Sequence, residues 1–90
     1  MHYITAVHLS GGTAEAHITS VRWLNSSTGM SGTTSVDGMV AWLRKGNQAQ
    51  VAGPDGPVQV VVVDSPGGTP YLRTVANGDW SDNLLALPRY

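Results

Sequence analysis

The chain reads as a small α+β domain, a mainly antiparallel sheet in the order ββαβββ with one amphipathic helix and a short C-terminal helical turn. Three observations predict this class. Two β-rich segments flank a Gly-Gly pair near the N-terminus. A central segment carries apolar residues at helical spacing between a cap and a glycine stop. A valine-dense run then precedes further turn signals. Strands, one helix and then more strands put the helix on an antiparallel sheet rather than in alternating parallel units.

The first two strands span about His2–Leu9 and Ala16–Leu24. Ser10-Gly11-Gly12-Thr13 between them is turn chemistry, because glycine tolerates positive φ. The strands echo each other: Ile4-Thr5-x-Val7 recurs as Ile18-Thr19-x-Val21. Ile4 and Val7 differ in strand parity, as do Ile18 and Val21, so a regular strand would show a large apolar residue on both faces. Residues 25–33 are polar and contain glycine, and read as a loop. Thr34 with Asp37 has capping-box spacing, and Val36, Met39, Val40 and Leu43 then share one helical face flanked by Trp42. Arg44 and Lys45 suit the C-terminal end of the helix dipole, and Gly46 stops the helix. Gly38 inside it costs about 1 kcal/mol relative to Ala.

Gln48 to Ala52 alternates weakly and reads as a third strand. Pro54-Asp55-Gly56 is a turn, and Val58 to Val63 holds five valines in six places, as a strand covered on both sides does. After a Gly/Pro loop from Ser65 to Pro70, Tyr71 to Ala76 forms a fifth strand and Asn77-Gly78 a tight turn. Ser81 or Asp82 caps a helical turn through Leu85, and Pro88 ends it.

Ninety residues predict one domain, 1–90, and the absence of cysteine excludes disulfides and thiolate metal sites. The N-terminus has neither a basic stretch nor the apolar run of a secretory signal, and no apolar run nears the ~20 residues that cross a bilayer. The expectation is a cytoplasmic protein without a membrane. Charged residues make up 12% of the chain, against about 25% in ordinary soluble domains. A net charge of −1 with 41% hydrophobic residues favours self-association.

The chemistry-bearing motifs are weak. His17-Ile18-Thr19 has the H-x-T form of two-histidine phosphoesterases, but the second copy that chemistry needs is missing. A loop of four or more residues would bring His8 opposite His17 near Glu15, a conceivable zinc set. Solvated histidines on a hairpin are the plainer reading, and no metal or cofactor is expected. Gly29-Met30-Ser31-Gly32 lacks the spacing of a nucleophile elbow, and no glycine-rich loop ends in G-K-[ST]. The six acidic residues are scattered over turns and caps, which argues against an enzyme. Five Lys and Arg, dispersed, make a poor nucleic-acid footprint, although Arg22 beside Trp23 and Arg73 near Tyr71 would suit base stacking.

What remains is a non-enzymatic module acting through protein–protein contacts, with Arg22, Trp23, Tyr71, Arg73 and Trp80 as candidate surface. Apolar residues on both strand faces add a homo-oligomer, most simply a twofold dimer. The alternative is a small-ligand or nucleotide binder that sequesters its ligand between Gly-rich loops and an Arg. Ile4-Thr5-Ala6-Val7, Ile18 with Val21-Arg22-Trp23, Tyr71 with Arg73-Thr74, and the closing Asp82-Asn83-Leu84-Leu85-x-Leu87-Pro88 give a resemblance over most of the chain. The sequence resembles domain-of-unknown-function family 3892. That resemblance implies a short bacterial or phage protein and brings no activity with it.

Overall fold

The computed structural model describes residues 1–53, 56–76, 79–81 and 83–90, with side chains for all of these except 76 and 79–81. Strands β1 (His2–Leu9) and β2 (Ile18–Asn25) pair antiparallel and are joined through a 3-10 turn at Glu15–His17. β3 (Ser31–Ser35) pairs antiparallel with β2 and runs directly into helix α1 (Val36–Arg44). β4 (Ala49–Gly53), β5 (Gly56–Val63), β6 (Tyr71–Ala76) and β7 (Asp79–Ser81) follow as an antiparallel meander. β4 joins the first strands by a short parallel pairing, His2 to Ala49 and Tyr3 to Gln50. The described strands form one mixed, mostly antiparallel sheet in the order β3-β2-β1-β4-β5-β6-β7, which with α1 makes an α+β fold.

The element order departs from the expected ββαβββ at two strands. β3 lies where the sequence predicts a loop, because Ser31-Gly32-Thr33-Thr34-Ser35 has little intrinsic strand signal and is held by pairing with β2. β7 follows residues 77–78, which lie outside the described residues, as do Pro54 and Asp55 of the expected turn and Asp82 of the expected cap. Beyond them, residues 83–86 make a turn and not a helix. The tail then returns to β1: the Val7 amide donates to the Pro88 carbonyl at 3.0 Å and the Tyr90 amide to the Val7 carbonyl at 3.2 Å. The cause is topological. β4 pairs with β1 only at its first residues, so the far half of that edge needs another partner, and the tail supplies it.

The Ile-Thr-x-Val echo has a structural meaning that corrects the both-faces reading. Ile4 pairs with Trp23 and Ala6 with Arg22, which leaves Thr5 as an extra residue in β1. His8 pairs with Ser20 and Leu9 with Ile18, which leaves Thr19 as an extra residue in β2. Each is a β-bulge, and each shifts the alternation by one. Ile4 and Val7 therefore reach the same face, as do Ile18 and Val21, and all four are at most 3% exposed. The threonines serve the bulges themselves. Thr5 Oγ1 donates to the Arg22 carbonyl at 3.4 Å, and Thr19 Oγ1 to the His8 carbonyl at 3.2 Å. The argument for a dimer from two-sided strands thus does not hold for β1 and β2. In β5 only Val60 is buried; the other valines stay half-exposed.

Bulges also bend and twist strands, and this sheet curls. In a flat sheet β2 and β6, four places apart, would be separated by about 19 Å. Yet Ile18 and Thr19 line one cleft of about 220 Å³ together with Thr69 and Pro70, which lead into β6. Arg73 Nε of β6 lies 3.9 Å from Glu15 Oε1, in the turn preceding β2. Helix α1 packs on β2 and β3 and equally on β5 and β6. Its buried residues Val36, Met39 and Val40 join Ile4, Val21, Val51, Val60, Leu72 and Leu84 in one core, with Leu43 and Trp42 packed partly buried at the margin.

The helix starts one residue later than its sequence signal suggests. Ser35, not Thr34, is the N-cap, and its Oγ accepts from the Gly38 amide at 3.1 Å. Thr34 instead belongs to β3, where its hydroxyl has another partner. The stop is as expected: Gly46 has φ of +95°, and its amide donates to the Leu43 carbonyl at 3.1 Å.

Candidate functional site

β1, β2, β3 and α1 enclose a half-open cleft of about 290 Å³ lined by His2, Trp23, Thr34, Gly38, Met39 and Trp42. Strand parity brings His2 and Trp23 to the concave face, since His2 shares the phase of Ile4 and Trp23 pairs with Ile4. The His2 ring stands edge-on to Trp42 at 4.8 Å between centroids and tilted to Trp23 at 5.3 Å. Trp23 is fixed from two sides. Its Nε1 donates to Thr34 Oγ1 at 3.0 Å, and its ring lies on the backbone of Gly32, where an added Cβ would stand 2.8 Å from Cζ2. Met39, 4% exposed, closes the floor.

Among the described residues His2 is the one titratable group in the cleft's lining, which otherwise holds the Thr34 hydroxyl and apolar or aromatic side chains. What the walls offer is flat aromatic surface and a polarizable thioether, which suit an apolar or aromatic group. The surroundings extend this character. The exposed large hydrophobics among the described residues are Met1 (40%), Leu24 (38%) and Met30 (65%). All three lie at the same end of the sheet as the cleft. Met1 precedes His2 and its carbonyl accepts from the Ser26 amide at 2.9 Å, Leu24 follows Trp23, and the Met30 carbonyl accepts from the Asn25 amide at 2.7 Å.

The residues singled out from the sequence do not form one surface. Arg22 and Trp23 are neighbours on a strand and so point to opposite faces. Arg22 lies 4.2 Å over the Tyr90 ring on the convex face, where Tyr90 Oη also bonds Ser20 Oγ at 2.7 Å and the ring tilts against His8. Tyr71 and Arg73 belong to β6, with Arg73 beside Glu15. The Trp80 side chain lies outside the described residues. Of the four whose side chains are described, Trp23 alone lines the cleft, and among the described residues neither this cleft nor the one at Thr69 and Pro70 is lined by Arg or Lys.

The conceivable zinc set is dispersed. His8 is opposite Ser20 and bonds the Tyr90 main-chain oxygen, His17 Nδ1 accepts from the Ala14 amide at 3.2 Å, and Glu15 faces Arg73. Among the described residues no three His, Asp or Glu converge as a metal site needs. No helix among them is long and apolar enough to cross a membrane. Sequence reasoning missed His2 and Trp42 as site residues, and Met30 near them. Trp42 and His2 carried a usable signal, a tryptophan at the edge of a helix face and a histidine at the concave phase of β1.

No curated protein and no solved structure matches the chain. Residues 3–88 match the family described as Protein of unknown function (DUF3892). With nearly its whole length inside that match, the chain belongs to the DUF3892 family.

Proposed function

We propose that this protein is a non-enzymatic binding module that docks a protein partner at the end of the sheet carrying the aromatic cleft. The supporting observation is the coincidence of two features there: the cleft walled by His2, Trp23 and Trp42, and the exposed Met30 at the same end of the sheet. Interfaces concentrate binding energy in aromatic-walled pockets that take an anchor side chain, within a rim that excludes water. A methionine beside such a cleft adapts to the partner's shape. A cleft of about 290 Å³ fits one large apolar or aromatic side chain, and its uncharged lining favours a neutral anchor.

Panning a phage-displayed random peptide library against the immobilised protein tests this. The expected result is enrichment of peptides with one recurrent Trp, Tyr, Phe, Leu or Met, whose binding is lost in Trp42→Ala and weakened in Met30→Ser. Met30→Ser should keep the native stability because Met30 is exposed, while Trp42→Ala, partly buried at the core margin, should melt lower but stay folded by circular dichroism at the binding temperature. Enriched peptides that bind Trp42→Ala as well as the parent protein would overturn the reading, as would no enrichment at all.

A further inference from the structure

Three stretches of strand edge among the described residues are treated differently. β7 ends the sheet with three residues, Asp79–Ser81. The far half of β1 is covered by the tail through the Val7–Pro88 and Tyr90–Val7 bonds. β3 ends the other side with five residues in unbroken register against β2, and among the described residues no strand pairs with its outer side. Unpaired edges are normally blunted by brevity, lysine, proline, a bulge or a covering segment. β7 is short and β1 is covered. β3 has none of these devices: Ser31-Gly32-Thr33-Thr34-Ser35 is uncharged, free of proline and regular.

We infer that β3 pairs antiparallel with β3 of a second copy across a twofold axis at Thr33, joining two sheets into one. The segment itself favours a copy of this chain. Reversed, Ser-Gly-Thr-Thr-Ser nearly matches itself, so Ser31 falls opposite the partner's Ser35, Gly32 opposite the partner's Thr34, and Thr33 opposite its own counterpart. At Ser31, Thr33 and Ser35 hydroxyl residues then meet hydroxyl residues, a favourable cross-strand pairing, and no like charges are opposed. Ser31, Thr33 and Ser35 are all exposed. A perpendicular twofold keeps concave face with concave face. The partner's Gly32 then stands beside Thr34, which lines the aromatic cleft, so the second copy extends the cleft wall and two clefts flank the axis. This inference rests on the open edge and not on the proposed partner docking.

Sedimentation equilibrium of the parent chain and of two variants, Thr33→Glu and Thr33→Lys, tests it. Thr33 pairs with Arg22 within the chain, so a carboxylate at 33 has a favourable neighbour and the fold persists, while two such carboxylates face each other across the axis. The parent chain should reach twice 9.5 kDa by high micromolar concentration. Thr33→Glu should dimerise at least tenfold more weakly, most visibly at low salt. An equimolar mixture of Thr33→Glu and Thr33→Lys should recover the dimer, which simple misfolding of either variant would not produce. A parent chain fixed at 9.5 kDa overturns the inference. So does a parent dimer that Thr33→Glu leaves intact, or a mixture that stays monomeric.

Discussion

Replacing Gly32 by Ala asks whether the aromatic cleft is built as described. The new Cβ would stand 2.8 Å from Trp23 Cζ2, 3.1 Å from Cε2 and 3.3 Å from Nε1. The first distance is below any real carbon contact, so the indole or the strand must move. Moving the indole breaks its 3.0 Å bond to Thr34, a loss of about 0.5–1.5 kcal/mol. Forcing the ring off its rotamer costs about 0.5–1.5 kcal/mol more. Gly32 is not among the positive-φ glycines, so Ala also restricts the unfolded chain and returns about 0.4–1 kcal/mol. The balance is a destabilisation of about 0.5–2 kcal/mol, and 1 kcal/mol lowers Tm by about 4–8 °C in a domain of this size. Urea unfolding followed by far-ultraviolet circular dichroism, at one fixed protein concentration, measures it. The indole N–H resonance of Trp23 should move in the same variant. In a Trp23→Leu background, Gly32→Ala should become neutral or stabilising. A neutral or stabilising Gly32→Ala in the parent chain, with the indole resonance unmoved, would refute the packing of Trp23 on Gly32.

Other expectations follow from the bulges, the core and the tail. Deleting Thr5 removes the extra residue of β1 and leaves Ile4 and Val7 two places apart on one face with unchanged partners in β2, so a folded product is expected, and Thr5→Ala, which keeps the bulge, costs about 0.5–1.5 kcal/mol; a deletion variant that fails to fold would refute the register. Leu72→Ala, at a site with 0% exposure, should cost about 2–5 kcal/mol, and Leu43→Ala distinctly less because Leu43 is only partly buried; denaturant titration of both variants checks the order. Tyr90→Ala removes the bond to Ser20 and the Arg22 contact, about 1–2.5 kcal/mol together, and should speed amide exchange at Val7. Truncation after Asp82 also removes Leu84, 1% exposed, and should abolish folding as read by circular dichroism.

Much of the fold was legible because local physics favoured it. The phase of Val36, Met39 and Val40 and the glycine at 46 mark α1 without outside help. The valines of β5 and the Tyr71–Ala76 strand are read from propensity and turn residues. The helix cap was misplaced by one residue because Thr34 and Ser35 are chemically alike, and only the pairing of Thr34 with Val21 assigns the first to a strand. β3 was invisible for a related reason: Ser, Gly and Thr carry no apolar alternation, and an edge strand owes its existence to its neighbour.

The site was less legible than the fold. The sequence by itself determined that the chain is an α+β domain without cysteine, poor in charge, and furnished with tryptophan and tyrosine but no phenylalanine. It also displayed the repeated Ile-Thr-x-Val pattern, whose parity looked like two apolar faces. Only the tertiary structure decided that each Thr is a bulge, because a bulge is defined by the count of residues on the opposite strand. From that one fact follow the single apolar face and a bend in the sheet. The same long-range pairings set Trp23 beside Trp42 and His2, and part it from Arg22, its neighbour in sequence. Local pattern fixes which residues prefer to be strands or helix; register across strands distant in the chain fixes which side chains meet.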